Sequence, residues 1–335
     1  MIHKMIKVFF DETGEFRPSA AGQCDLAAVF GLIVPEVDSA PLQRAFLSFV
    51  AKLPRSAFVN GEPKGNRLPL DRHKSLAAML NAHRGIMTVP VTFNRQIESA
   101  TFDAWPKALK QILEKQALGC IHESMRRSVE TLAKRCGNLS SEQLSRLLTY
   151  KIAMERALDG ICLFYHCSKY HSSYDPIRII FDRTGPANNR EELVFKEMIY
   201  VWVTNNVFTS IKQVHTDDHP FVKLYGSRVG EKRAYDVGKM VQGNFEFLDS
   251  KATWQLQLTD MLASAWINSV RDQRNDRGYL PVFRLLQKNT TLPRDQPLGL
   301  IGLADYREER YAPVSFNVYR RLVAKEGKCL PCAWD

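Results

Sequence analysis

Apolar and polar positions divide the first hundred residues into short β-rich runs and amphipathic helices. Residues 5–10 form a β-rich apolar run that ends abruptly in Asp11, Glu12, Thr13 and Gly14, the pattern of a buried strand delivering acids to a sheet edge. A second run, 26–34, stops at Pro35. Helical spacing through Leu42, Phe46, Phe49 and Val50 then gives way to a polar loop at 60–66. A helix at 72–81 and a strand at 86–93 complete an order of strand, strand, helix, helix, strand.

From 105 to 136, Leu109, Ile112, Leu113, Ile121, Met125, Val129 and Leu132 recur mostly three or four apart, which predicts one face of a long helix. Gly137 and Asn138 break it. Ser140 with Gln143 makes a capping box, and Leu139 with Leu144 forms the hydrophobic staple beside it, so a second long helix begins here and runs to about residue 169. The pair reads as a helical hairpin, 105–172, inserted between the two parts of a sheet domain, 1–104 and 173–335. The run Ile177, Ile179, Ile180, Phe181 then closes in Asp182, Arg183, Thr184 and Gly185, repeating the ending of the first strand. Both acids are therefore expected at strand carboxyl ends. Asn189 and Glu192 cap a helix through Trp202, residues 245–248 read as a strand, and 253–270 as a helix. The alternation predicts an α/β domain that binds ligands at the carboxyl ends of its strands.

Composition narrows the class. A chain of 335 residues with 45% hydrophobic and 24% charged residues is ordinary for a globular protein, which excludes disorder, collagen and coiled coil. The longest nearly apolar stretch, 26–35, is about half of what a bilayer crossing needs, and a soluble cytoplasmic protein is the default expectation. With 46 Lys and Arg against 36 Asp and Glu the net charge is +10, which favours polyanionic partners such as nucleic acid. The seven cysteines are an odd number, and Cys24, Cys120, Cys136, Cys162 and Cys167 fall in runs that read as buried helix or strand, as reduced thiols do.

Asp11 and Asp182 are delivered by separate strands, and parallel neighbours would bring them to one sheet edge. Two close carboxylates repel, so the arrangement needs a cation, a proton or a basic partner, and hard oxygen ligands favour Mg²⁺ or Mn²⁺ over zinc. The alternative is that each acid opens a turn by accepting backbone N–H groups. Glu12, next in the strand, points to the opposite face and is not a first-choice ligand. In the helix at 253–270, Gln257 and Asp260 share a face beside the stripe Trp254, Leu258, Met261, Leu262 and Ala265, which aims Asp260 at the strand ends. Asp249 or Ser250 is placed to cap that helix. Glu62 and Lys64, two apart in a Gly-rich loop, would supply a metal ligand and a phosphate contact, or else belong to a solvated loop.

Together these residues carry a resemblance. Asp11-Glu12-Thr13-Gly14 ending the first strand, Glu62-Pro63-Lys64-Gly65, Phe181-Asp182 ending a later one, and Asp249-Ser250-Lys251 before Leu256-Gln257-Leu258-Thr259-Asp260 resemble, in that order, the bacterial family known as domain of unknown function 3800. The resemblance spans nearly the whole chain. It implies a ribonuclease H-like mixed central sheet flanked by helices and a metal-dependent nuclease, in some members set in anti-phage defence or mobile elements. It also implies Asp11, Glu62, Asp182 and Asp260 as acidic site and metal-ligand residues, with Lys64 and Gln257 in support. Thr13 stands where the family usually has Ser, and Thr259 where it usually has Ala. Phosphodiester cleavage on such a site needs no covalent intermediate, since carboxylate-held Mg²⁺ or Mn²⁺ activates water and stabilises the leaving oxygen. Lys64 would neutralise charge in the transition state.

Between His219 and Asn244, Lys223, Arg228, Lys232, Arg233 and Lys239 alternate with Phe221, Tyr225 and Tyr235, which reads as a basic loop of a composition suited to phosphate contacts and base stacking, or else as an ordinary solvated loop. His215, Asp217 and His219 would face one way on an extended strand, close enough for a transition metal, or else are solvated residues of a loop, and Cys329 and Cys332 form a single Cys-x-x-Cys that would need Cys24, Cys162 or Cys167 to complete a zinc site. No nucleophile elbow, Walker loop or dinucleotide fingerprint is present. Two readings compete with a nuclease: an inactive nuclease-like subunit that binds nucleic acid or partners, and a phosphatase or nucleotide hydrolase sharing the metal chemistry. The helical hairpin is long enough to serve as a homodimer interface, unless its apolar stripe is used on the chain's own sheet.

Overall fold

The computed structural model describes residues 5–19, 26–83, 85–164, 177–183, 185–204, 210–212, 217, 220–229, 232–271, 278–291 and 300–301. β1 (Ile6–Thr13) and β2 (Leu26–Pro35) lead into α1 (Glu36–Val50), the two-residue strands β3 (Phe58–Val59) and β4 (Glu62–Pro63), α2 (Leu70–Asn81) and β5 (Met87–Asn94). The helices α3 (Ser99–Leu118), α4 (Glu123–Cys136) and α5 (Ser141–Phe164) follow. Next come β6 (Ile177–Asp182), α6 (Arg190–Thr204), β7 (Ser210–Lys212), α7 (Pro220–Tyr225), β8 (Gly226–Val229), β9 (Lys232–Asp236) and α8 (Val237–Val241). The described elements end with β10 (Phe245–Leu248), α9 (Trp254–Arg271), α10 (Leu280–Gln287) and β11 (Leu300–Ile301).

The main sheet has the order β10-β6-β1-β2-β5-β11. β2 is antiparallel to both β1 and β5, whereas β6 runs parallel to β1 and β10 parallel to β6, so the sheet is mixed. Strand alternation sorts the side chains onto two faces. Val8, Phe10, Ile179 and Phe181 enter one core with α5 and α6, while Phe9, Phe30, Ile180 and Leu32 enter the other with α2, α9 and α10. Helices cover both faces, and the expected α/β class is the observed one. Among the described residues no helix is long and apolar enough to cross a membrane.

Local signals explain most element ends. Ser140 and Gln143 exchange hydrogen bonds as a capping box, 2.9 and 3.2 Å, at the start of α5. Asn189 Oδ1 accepts the Glu192 N–H at 3.0 Å, and the Glu192 carboxylate accepts the Asn188 N–H at 2.8 Å, which fixes the start of α6.

Three expectations need correction. The stretch 105–136 is not one helix: α3 begins at Ser99, ends at Leu118, and α4 folds back along it, so that Gly137 at the far end of α4 lies against Lys110. Reversal lets Leu113, Ala117, Val129 and Leu132 share one core, whereas Ile121, counted in the apolar stripe, is 95% exposed at the turn. The insertion is therefore three helices, and α5 lays Leu144, Leu147, Met154 and Ile161 into the core against the sheet. Its stripe is used within the chain. Finally, the basic segment after residue 219 is not a loop: α7, β8, β9 and α8 occupy it, and β9 pairs with both β8 and the preceding β7 in a three-stranded sheet.

Candidate functional site

β1 and β6 pair in parallel with Phe10 opposite Phe181, so the next residues, Asp11 and Asp182, are neighbours at one edge. Asp182 is the last residue of β6, but Asp11 lies inside β1. Antiparallel hydrogen bonding to β2, with Asp11 opposite Phe30 and Thr13 opposite Ala28, holds the backbone extended past the apolar run. Parity puts both acids on the face of Phe9 and Ile180, where α9 crosses the sheet and carries Asp260. Glu12 faces the other way, as expected.

Glu62 and Lys64 arrive by a hairpin. Val59 pairs with Glu62 across Asn60-Gly61, whose φ angles of 50° and 84° are those of a two-residue turn that favours Asn-Gly. The chain then presses onto α9 at Gly65, where an added Cβ would lie 2.6 Å from the Ser264 side chain and 2.7 Å from the Asp260 carbonyl oxygen. The Gly65 N–H donates to Asp260 Oδ2 at 3.2 Å, and the buried His73 Nε2 lies 3.1 Å from the Gly65 carbonyl, with Nδ1 3.0 Å from the Tyr279 hydroxyl. A carbonyl only accepts, so His73 carries its proton on Nε2 and accepts from Tyr279.

The turn before α9 ties the acids together. The Ser250 N–H donates to Asp182 Oδ1 at 3.2 Å, and its hydroxyl donates to Glu62 Oε1 at 3.3 Å. Gln257 Nε2 donates to the Ser250 carbonyl at 3.0 Å, so Gln257 braces this turn instead of meeting an acid directly. Asp249, not Ser250, caps the turn by accepting the Lys251 N–H at 2.9 Å. Lys64 Nζ lies 3.4 Å from Glu62 Oε2 and 4.0 Å from Asp260 Oδ2.

Electrostatics mark the edge as overcharged. Burial raises Asp11 well above the ordinary carboxylate range, and the nearby charges of Asp260, Glu12 and Asp182 add to it. Asp182 is pushed up to about 7, first by desolvation and then by Glu12, against the N–H groups of Arg183 and Ser250 and the charge of Lys64. Asp260 is raised by burial, with Lys64 and the Gly65 N–H opposing. Desolvation lowers Lys64, but Asp260, Glu62 and Asp11 outweigh it and hold the ammonium above its usual range.

The structure thus brings Asp11, Glu62, Lys64, Asp182 and Asp260 together, with Gln257 one step behind. Four carboxylates around one lysine suit a hard divalent cation in donor type and charge. As placed, no group of three or more His, Cys, Asp or Glu side chains among the described residues is set to hold a metal ion.

The basic segment lies elsewhere. The Tyr225 hydroxyl accepts the Ile177 N–H at 3.2 Å, which anchors α7 at the amino end of β6, about 17 Å of strand from Asp182 at ~3.3 Å per residue. Lys223, Arg228, Arg233 and Lys239 are exposed, Arg233 pairs with Asp217 at 2.9 Å, and Lys232 lies in β9. Phe221, Tyr225 and Tyr235 are not stacking platforms: they are 3%, 4% and 0% exposed and pack edge-to-face in the core. Alternation with charge reflected their helix and strand faces. His215, His219, Cys24, Cys167, Cys329 and Cys332 lie outside the described residues. Cys120, Cys136 and Cys162 are free thiols, and burial raises Cys136 to about 12.

His73, Tyr279 and Ser250 hold the site together without having been singled out for it. So does a network behind β1, in which the Tyr150 hydroxyl donates to Glu12 and Arg146 bridges Glu12, at 3.5 Å, to Glu191. Burial raises Glu12, and Arg146 and Tyr150 oppose that shift. The Asn60-Gly61 pair was the available hairpin signal; nothing local marks His73. Comparison with protein-family models, with curated proteins and with solved structures gives no match for this chain.

Proposed function

We propose that this protein is a divalent-metal-dependent nuclease with a ribonuclease H-like fold, hydrolysing phosphodiester bonds of DNA or RNA, as its resemblance to the domain of unknown function 3800 family implies. The observation that carries the reading is the parallel β1–β6 register, which sets Asp11 beside Asp182 under Asp260 of α9. The mixed sheet, with β6 and β10 added parallel to β1 outside an antiparallel β1-β2-β5 unit, supports the finer fold assignment. Asp11, Asp182, Asp260 and Glu62 would hold Mg²⁺ or Mn²⁺, which when bound supplies activation of water and neutralisation of phosphate charge. Ser250 and Gln257 orient Asp182 and Glu62 through the turn they share. Lys64, partly exposed at the rim, is placed to meet a phosphate oxygen. Lys223, Arg228, Lys232, Arg233 and Lys239 would contact nucleic acid away from the acids. A cytoplasmic setting and a role in phage defence or a mobile element belong to the same proposal.

The test is a screen of plasmid duplex, single-stranded DNA and RNA with Mn²⁺ or Mg²⁺, run beside Asp11→Ala and Asp182→Ala. Cleavage that both substitutions remove supports the reading. Cleavage untouched by either would place the activity outside this site. One observation favours the second reading, an inactive nucleic-acid-binding or assembly subunit: the acids as placed do not group into a ready metal nest. Binding of nucleic acid with no cleavage under any metal would select it.

A further inference from the structure

We propose that Lys64 is the resident cation of the carboxylate site and that a divalent metal ion binds by displacing it, which rests on the metal reading above. The ammonium bridges two acids from distant parts of the chain, 3.4 Å from Glu62 and 4.0 Å from Asp260. It neutralises a region where burial and mutual repulsion already raise Asp11, Asp182 and Asp260. A buried acid cluster without a cation would be costly, so the metal-free fold supplies one of its own.

Geometry makes the exchange feasible. The Lys64 side chain is 32% exposed, against 11% for Glu62 and 19% for Asp260, so the ammonium sits on the solvent side of the acids. Its backbone is held independently of its charge. The Lys64 N–H donates to the Ala57 carbonyl at 2.8 Å, and Gly65 is fixed by Asp260, His73 and its packing on Ser264. The side chain can therefore swing outward while the hairpin stays docked. An ammonium and a divalent ion cannot both occupy the space between Glu62 and Asp260, because like charges at such separations repel strongly in a half-buried site. The carboxylates are meanwhile committed to Lys64, to the N–H groups of Gly65 and Ser250 and to the Ser250 hydroxyl. Displacement frees both acids, and it leaves an unpaired ammonium at the rim for an anionic group.

The experiment is a Mn²⁺ titration into the millimolar range on the full chain, read by calorimetry and by the Mn²⁺-induced rise in Tm, for wild type, Lys64→Met and Lys64→Arg. Competition of this kind is expected to tighten Mn²⁺ binding about tenfold in Lys64→Met, within the usual range for coupled sites. Lys64→Arg keeps the charge and stays near wild type. Binding seen only in Lys64→Met overturns the exchange, because the wild-type lysine then excludes the metal instead of yielding to it. Equal affinity in wild type and Lys64→Met overturns it while leaving the metal reading intact, and weaker binding in folded Lys64→Met overturns it because the lysine then assists the metal. Absence of binding in both overturns the metal reading as well. A Lys64→Met chain that folds only with Mn²⁺ supports the exchange; one that stays unfolded at every Mn²⁺ concentration overturns it.

Discussion

Replacing Asp182 by Asn is expected to stabilise the metal-free protein. Oδ1 of Asp182 accepts the Arg183 N–H at 3.0 Å and the Ser250 N–H at 3.2 Å, and an amide oxygen can keep both bonds while removing the charge. Desolvation and Glu12 push the carboxyl up to about 7 from an ordinary 3.8. Three pK units correspond to at most ~4 kcal/mol, and about half of that is expected once neighbouring acids take up protons in its place. With an unfolding entropy of ~2.1 cal/mol/K per residue, a gain of ~2 kcal/mol raises the Tm of a chain this long by about 3 °C. The sign can be checked by pH. A carboxyl whose folded pKa is raised holds its proton more tightly folded than unfolded. The wild-type penalty is therefore absent below the unfolded value of about 4, grows as pH rises, and is complete above about 7. Thermal unfolding in chelator should show Asp182→Asn ahead of wild type at pH 8 and level with it near pH 4. A variant that melts lower at pH 8, or a difference that does not change with pH, would refute the picture of a repulsive buried acid edge.

Further outcomes follow from single contacts. Gly65→Ala forces a Cβ against Ser264 and the Asp260 carbonyl, and should lower stability by about 1–3 kcal/mol in denaturant titration; wild-type stability would show that the hairpin is not docked as described. Phe221→Ala should cost about 3–5 kcal/mol through the core it shares with Tyr225 and Tyr235, whereas a merely weakened nucleic-acid affinity with unchanged folding would restore the stacking role. Joint replacement of the exposed Lys223 and Arg228 by Ala should leave the melt unchanged and reduce the slope of log affinity against log salt by about 1.5–2 for DNA; an unchanged slope removes them from the nucleic-acid contact.

Much of the scaffold was legible because its signals are local. The apolar runs became β1, β2, β5, β6 and β10, and the Ser140–Gln143 box starts α5 where expected. Asp11, Asp182 and Asp260 were readable as candidates from their places at strand ends and on a helix face, and Glu62 from a Gly-flanked loop, together with the resemblance. Signals that depend on tertiary pairing were not. Helical spacing through Ile121 continues across the reversal between α3 and α4, because a period alone cannot tell a turn residue from a buried one. Tyr225 and Tyr235 alternate with cations as stacking residues do, yet inward strand and helix faces make the same pattern. His73 acts on Gly65 from a neighbouring helix and on Tyr279 from more than two hundred residues away, a relation that exists only after folding. Extension of β1 to Thr13 likewise depends on β2.

The central claim is that acids from two parallel strands and a crossing helix form one divalent-cation site. Calorimetric titration of Mn²⁺ into the wild-type chain, Asp11→Asn and Asp182→Asn, each checked for folding, tests it before any substrate is known. The account predicts saturable binding in the wild type, in or below the millimolar range, that both substitutions abolish. Binding that survives either substitution unchanged, or a folded wild type that binds no Mn²⁺ at all, would contradict it.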